Sequence, residues 1–173
     1  MKNRGIFRLL LLFVLVQVGL RIASLNAEPM PRLPAEDLAG NPVSLPDTFS
    51  GKATLLVIDF SRGSATQTNA WMQKLSGVFD IYSVVVLEAV PKVARPAVLK
   101  SMRKDVPAEL QNRVIVIQQG SKDLKSAVAF DRPNDAYLLL LDRDGSIHYR
   151  YHGPATDEAF NQLKTAAFVQ LAE

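Results

Sequence analysis

The chain has 173 residues and no cysteine, and 48% of its residues are hydrophobic against 21% charged. That length suggests one domain whose core can stand without covalent staples, and the lack of thiols excludes disulfides, thiolate metal sites, a CxxC redox pair and a cysteine nucleophile. The formal charge of +3 is local: Lys2, Arg4, Arg8 and Arg21 take four of the 20 basic residues, which leaves 16 against 17 acidic ones, so the body has no basic surplus to attract nucleic acid.

The first 27 residues contain no acid. A charged start leads into Leu9–Leu20, an apolar run interrupted only by Gln17 and Gly19. Twelve helical residues reach about 18 Å, short of the roughly 30 Å hydrocarbon layer. The pattern is that of a signal-peptide core, with Leu25-Asn26-Ala27 offering cleavage after a small residue. An uncleaved N-terminal anchor is the alternative, because the Leu at −3 is not ideal and Arg21 could mark an interface. Residues 1–27 are thus read as signal peptide or anchor, and 28–173 as the folded domain, exported to the periplasm or held at the inner membrane.

Residues 28–53 carry five of the ten prolines and read as extended segments and turns, with Ala39-Gly40-Asn41 as a hairpin turn. Ala53–Phe60 is almost continuously apolar, the pattern of a central strand buried on both faces. Ser61-Arg62-Gly63 breaks it. Ser64 with Gln67 fits a capping box, and Trp71, Leu75, Val78 and Phe79 recur at helical spacing behind it. Ile81–Val90 predicts a second buried strand. After Pro91, Ala97, Val98, Met102 and Val106 share a helical face among Lys100, Arg103 and Lys104; Pro107 and Glu109 open a short helical turn. Val114–Ile117 is a third strand, a short helix begins near Ser121, and Ala136–Leu141 is a fourth strand. Asp142-Arg143-Asp144-Gly145 is a hairpin turn. Beyond it Ile147, Tyr149 and Tyr151 should share one face, and His148, Arg150 and His152 the other. Thr156 caps a last helix with Asp157 and Glu158 in its first turn and a stripe of Ala159, Leu163, Ala166, Ala167 and Leu171. The order, a hairpin and then β-α-β-α-β-α-β-β-α, defines an α/β fold with parallel crossovers and an antiparallel end.

This order resembles the thioredoxin-like, redoxin-type fold with an inserted helix and strand at about 94–118 and an N-terminal hairpin. Two segments narrow the resemblance. One is VLKSMRKDVPAELQNRVIV, with Pro107, Glu109, Leu110 and Arg113; the other is HGPATDEAF, with Gly153, Ala155 and Thr156. They are similar to the thioredoxin-like assembly factor family of the mitochondrial ATP synthase and its bacterial relatives. The resemblance spans roughly residues 35–171 and implies a protein client, a membrane subunit of the ATP synthase, with no cofactor. The leader departs from the family in looking secretory.

In redox relatives the thiols open the first helix. Spacing from Phe60 puts those slots near Ala65 and Thr68, neither able to exchange thiols. The position of the relatives' cis-proline falls near Ala136, with Pro133 three residues earlier. The resemblance therefore implies a non-enzymatic, thiol-free binding module whose partner surface surrounds the old active-site edge: Arg62, Gly63, Trp71, Met102 and Arg103. Against this stand plainer readings, with Trp71 as core and the charges of 100–104 as a solvated face. The alternative function is an exported redoxin-like binding or sensory domain with no tie to the ATP synthase.

Other chemistry is weak. His148 and His152, four residues apart on a strand, lie about 13 Å apart and cannot chelate one metal. Ser64 has no histidine or acid at a diagnostic spacing for a hydrolase triad. Asp142 and Asp144 belong to a turn that lacks the rest of a calcium loop.

Overall fold

The computed structural model describes residues 28–171. The leader and its cleavage point after Ala27 lie outside the described residues. Among those described, eight strands form one sheet in the order β1-β8-β7-β4-β5-β6-β2-β3. They are β1 (Glu28–Pro29), β2 (Leu33–Asp37), β3 (Pro42–Leu45), β4 (Thr54–Asp59), β5 (Ile81–Val86), β6 (Val114–Ile117), β7 (Tyr137–Leu141) and β8 (Ser146–His152). The helices are α1 (Ala65–Leu75), α2 (Arg95–Asp105), α3 (Ser121–Ala127) and α4 (Asp157–Leu171), with a six-residue 3-10 helix at Ala108–Arg113 between α2 and β6. None of them is long and apolar enough to cross a membrane.

Strand β4 runs parallel to β5 and β5 to β6, while β7 lies antiparallel to β4. The continuous apolar run of β4 is explained by burial on both faces. Leu55 and Val57 pack under α1 and α4 with Trp71, Leu75 and Leu163. Leu56 and Ile58 pack on the opposite face with Leu124 and Val128, and with Leu33 and Leu45 of the N-terminal hairpin. Helix α2 covers the far part of the first face, where Val98, Leu99 and Met102 meet Leu38, Leu87 and Val116. The expected hairpin, inserted helix and strand, and final hairpin and helix are all present.

Several local expectations are corrected. Ser64 makes no cap bond, and Ser61 instead accepts from the Gly63 amide at 3.1 Å. Helix α1 stops at Leu75, so Val78 is 54% exposed rather than part of the apolar face. The face assignment in β8 fails at one residue. Leu140 pairs with Tyr149 but Leu141 pairs with Ile147, a bulge at His148. The extra residue sends Ile147 to the α3 side, while Tyr149 and Tyr151 stay under α1 and α4. In α4 the cap is as read, with the Ala159 amide donating to Thr156 Oγ1 at 3.1 Å. Ala159, Leu163 and Ala167 are buried; the side chain of Leu171 is outside the described set.

Trp71 is fully buried and ties two parts of the fold together. Its indole Nε1 donates to the Gly153 carbonyl at 2.9 Å, and its ring meets Tyr151 edge-on at 5.5 Å. Gly153 has φ +117°, a conformation that favours glycine, in the turn between β8 and α4. Trp71→Ala should lower the unfolding free energy by about 3–5 kcal/mol. Trp71→Phe should cost about 1–3 kcal/mol, since it leaves the Gly153 carbonyl without its donor. Guanidinium unfolding followed by circular dichroism measures both, Trp71 being the sole tryptophan and so unusable as a common fluorescent probe. A loss under 1 kcal/mol for Trp71→Ala would contradict the core assignment.

Candidate functional site

The three parallel strands end on one side of the sheet, where α1 begins and the loop before β7 returns. Open α/β sheets form ligand crevices outside the carboxyl ends of such strands. Here that edge is closed by the chain's own polar groups. Ser61 Oγ donates to the Pro133 carbonyl at 2.7 Å and lies 3.2 Å from Asn134 Oδ1. Gly63 sits against the same asparagine, so close that a Cβ there would meet Asn134 Cγ at 2.7 Å. Gln67, expected to help cap the helix, bridges to the loop instead. It accepts from the Ala136 amide at 3.0 Å and lies 3.3 Å from Asp135 Oδ1.

Beneath this clasp, the hydroxyl of buried Ser64 lies within hydrogen-bonding reach of both the Asp59 carboxylate and the Ser61 carbonyl. Burial pushes the Asp59 carboxyl up to about 6, partly offset by the Ser61 amide. Across the loop, His152 Nδ1 lies 2.9 Å from Asp135 Oδ2 and Nε2 3.6 Å from Asp131 Oδ1, and its ring stacks on Tyr137. The His152 contact, with Gln67, holds the Asp135 carboxyl below its ordinary value. Both ring nitrogens thus face carboxylates, and neither is free to activate Ser61 or Ser64 as a general base. Asp59, Gln67, Asn134, Asp135 and His152 escape a reading by motif, because they converge from four separate segments.

The old thiol slots are ordinary. Ala65 is exposed at the first turn of α1. Thr68 is 6% exposed, and its Oγ1 has no hydrogen-bond partner. The peptide before Pro133 is trans; the cis bond among the described residues is Leu45–Pro46. No cluster of three or more metal-ligating side chains occurs among the described residues.

The proposed partner set does not form one surface. Arg62 and Gly63 are exposed at the clasp, whereas Trp71 is inaccessible in the core. Met102 is half-buried against Leu38 and Val116. Arg103 donates from Nε to the Leu38 carbonyl at 2.8 Å, pinning the hairpin turn to α2. Arg95, at the other end of α2, bonds the carbonyls of Glu88, Val90 and Gln118 where β5 and β6 finish. Eight residues of helix, about 12 Å, separate the two arginines. Met102 and Arg103 therefore lie toward the end of the sheet opposite Arg62.

The four strands β8-β7-β4-β5 with α1 behind β4 and α4 after β8 define a thioredoxin-like fold, enlarged by α2 and β6. Three solved structures share it. BsSco, a member of the Sco family of cytochrome c oxidase assembly proteins, matches with TM-score 0.56 and 15% identity, over 83% of this chain and 95% of its own. A putative thiol:disulfide interchange protein DsbE from Chlorobium tepidum matches at 0.52 and 18%, over 84% and 96%. A thio-disulfide isomerase from Thermus thermophilus matches at 0.51 and 21%, over 81% and 95%. The chain belongs to the ATP10 protein family, which it matches over residues 23–167 and whose members are ATP synthase assembly factors. No curated protein matches it significantly.

Asp59 makes a testable contribution to stability. Its folded pKa, about 6, stands above the unfolded 3.8. The native state therefore holds this proton more tightly, and the associated stability is full below pH 4 and lost as pH rises through 6. Asp59→Asn keeps an acceptor for Ser64 and removes the charge. It should be more stable than the parent by about 1 kcal/mol at pH 8, after discounting for solvent screening, and no more stable at pH 4. Urea unfolding at both pH values measures this; an equal difference at both would refute the titration.

Proposed function

We propose that this protein is a thiol-free, non-enzymatic assembly factor that holds a membrane subunit of the ATP synthase during its incorporation. The observation that carries the reading is the clasp at the head of α1. Where redox relatives expose thiols, this chain has Ala65 and Thr68, with Ser61, Gln67 and Asn134 closing the edge. Such a site can bind and cannot exchange electrons through thiols. Family membership supports the ATP synthase as the destination. The Sco-family neighbour, itself of a family of cytochrome c oxidase assembly proteins, is compatible with that use of the scaffold.

Residues 1–27 act in this reading as a signal peptide cleaved before Glu28, or as an anchor, placing the domain in the periplasm or against the inner membrane. Exposed Arg62 and Gly63 are the part of the expected partner surface that stays at the clasp. The client docks on its rim, and Arg103 serves the fold.

Affinity capture from native membranes should recover an ATP synthase membrane subunit, and capture should persist after treatment with reductant or alkylating agent. Recovery of only unrelated exported proteins would favour the redoxin-like sensory or binding domain instead. Arg62→Ala should weaken capture with a stability change under about 0.5 kcal/mol, whereas Arg103→Ala should cost about 0.5–1.5 kcal/mol through the lost Leu38 bond. The purified protein should show neither insulin reduction nor peroxidase turnover, and robust activity in either assay would defeat the reading.

A further inference from the structure

Helix α1 covers β4, and α2 sits over β6 and β2, so the first half of β5 has no helix above it. A groove of about 740 Å³ opens there, in the size range of binding cavities. Ile81, Ser83 and Val114 form its floor, Thr68 and Met72 line its α1 side, and Leu110 stands on the opposite wall. Leu110 is a large apolar side chain left 51% exposed. Thr68 is more than nine-tenths buried, and its Oγ1 has no partner in the chain. A buried hydroxyl left unpaired is unusual, and this one lines the groove.

The chemistry of the groove selects its occupant. The groove lies over the face of β5, which pairs with β4 from Ile81 to Val85 and with β6 from Ser83 to Val86, so the floor presents a sheet face and no open edge strand. The α1 wall is a helix and offers no edge either. An occupant therefore cannot add as a strand, and must satisfy its own backbone while burying apolar side chains; a helix does so. Along α1 the lining runs from Thr68 to Ser76, about 12 Å or two helical turns. Among the lining charges, Asp80 and Arg113 form an ion pair. Asp105 is exposed and in no ion pair among the described residues; it is the unpaired charge of the lining, Arg103 and Lys104 of the same turn lying outside it.

We infer that this groove seats an apolar helix ending in a cationic side chain, the chemistry of a membrane span and its basic flank. The inference rests on the reading above that the client is a membrane protein, and it assigns that client a second contact, continuous along α1 with the clasp.

The test uses full-length protein in mild detergent and labelled 18-residue Leu/Ala peptides, one ending in lysines and one in glutamates. The lysine-ended peptide should bind at least tenfold more tightly. Leu110→Glu, a change at a half-exposed position, should weaken its binding tenfold or more with an unaltered melting curve. Asp105→Lys should reverse the preference between the two peptides. Equal affinity for both peptides in the parent, or undiminished binding by folded Leu110→Glu, would overturn the proposal. So would a concentration-dependent dimer that Leu110→Glu abolishes, which would make a second copy the occupant. Membrane-subunit capture separates this inference from the function. If the parent and Leu110→Glu capture the subunit equally, the groove fails and the function stands; if peptide binding behaves as expected but no subunit is captured, the groove stands and the function fails.

Discussion

Strand β4 is buried on both faces, and the layers of the molecule follow from that constraint. A strand with no solvent face must be apolar at successive positions, and it needs a separate core on each side. Leu55 and Val57 require α1 and α4; Leu56 and Ile58 require α3 and the hairpin. The hairpin is therefore a lid on the second core and no ornament, which is why Leu33 and Leu45 are buried at what is otherwise the sheet's edge. The Trp71–Gly153 bond locks the first layer by joining α1 to the turn that launches α4.

The same arrangement fixes the carboxyl end of β4 as the place where α1 and the loop before β7 meet. In this chain the meeting is made by neutral hydrogen bonds and a half-buried histidine between two aspartates. Asp59 stays beneath it despite the cost of charging a partly desolvated carboxyl at neutral pH. Its two local partners, the Ser64 hydroxyl and the Ser61 amide, hold the turn between strand and helix in shape. The rim of this edge stays exposed at Arg62, Gly63 and Ala65, and what it lacks for thiol chemistry is the thiol itself.

Much of this was legible in the sequence because it is written in periodicity. The apolar run at 54–59, the VIVI strand, the Asp-Gly hairpin turn and the Thr156 cap are local patterns with local causes. The misread residues take their state from distant partners. Ser64 looks like a cap, but a half-buried carboxylate five residues earlier takes its hydroxyl. Gln67 looks like the other half of that cap and bonds a backbone amide 69 residues away. The β8 bulge is invisible to alternation, because Ile147 and Tyr149 are spaced as if they shared a face. Arg62 and Arg103 look equivalent as exposed bases, yet one stands free at the clasp and the other pins a turn near the far end of the sheet. The groove has no motif; it is the space that α1 and α2 leave when each covers a different strand.

That space also suits the thermodynamics of a holding function. A thiol catalyst grips its partner through a covalent bond and releases it by exchange. A chain without thiols holds by noncovalent contacts. Two turns of apolar helix offer three or four side chains, each worth about 1.5–3 kcal/mol when buried. Association costs at least about 4 kcal/mol in lost freedom. Three side chains at the low end leave almost nothing, and four at the high end leave about 8 kcal/mol, a dissociation constant no tighter than about 1 μM. Binding of that strength shields an apolar segment from aggregation and yields to the larger, permanent interface of an assembled complex. An open groove with one wall residue half-exposed fits such a temporary contact better than a closed pocket would, since the occupant can leave without any movement of the sheet.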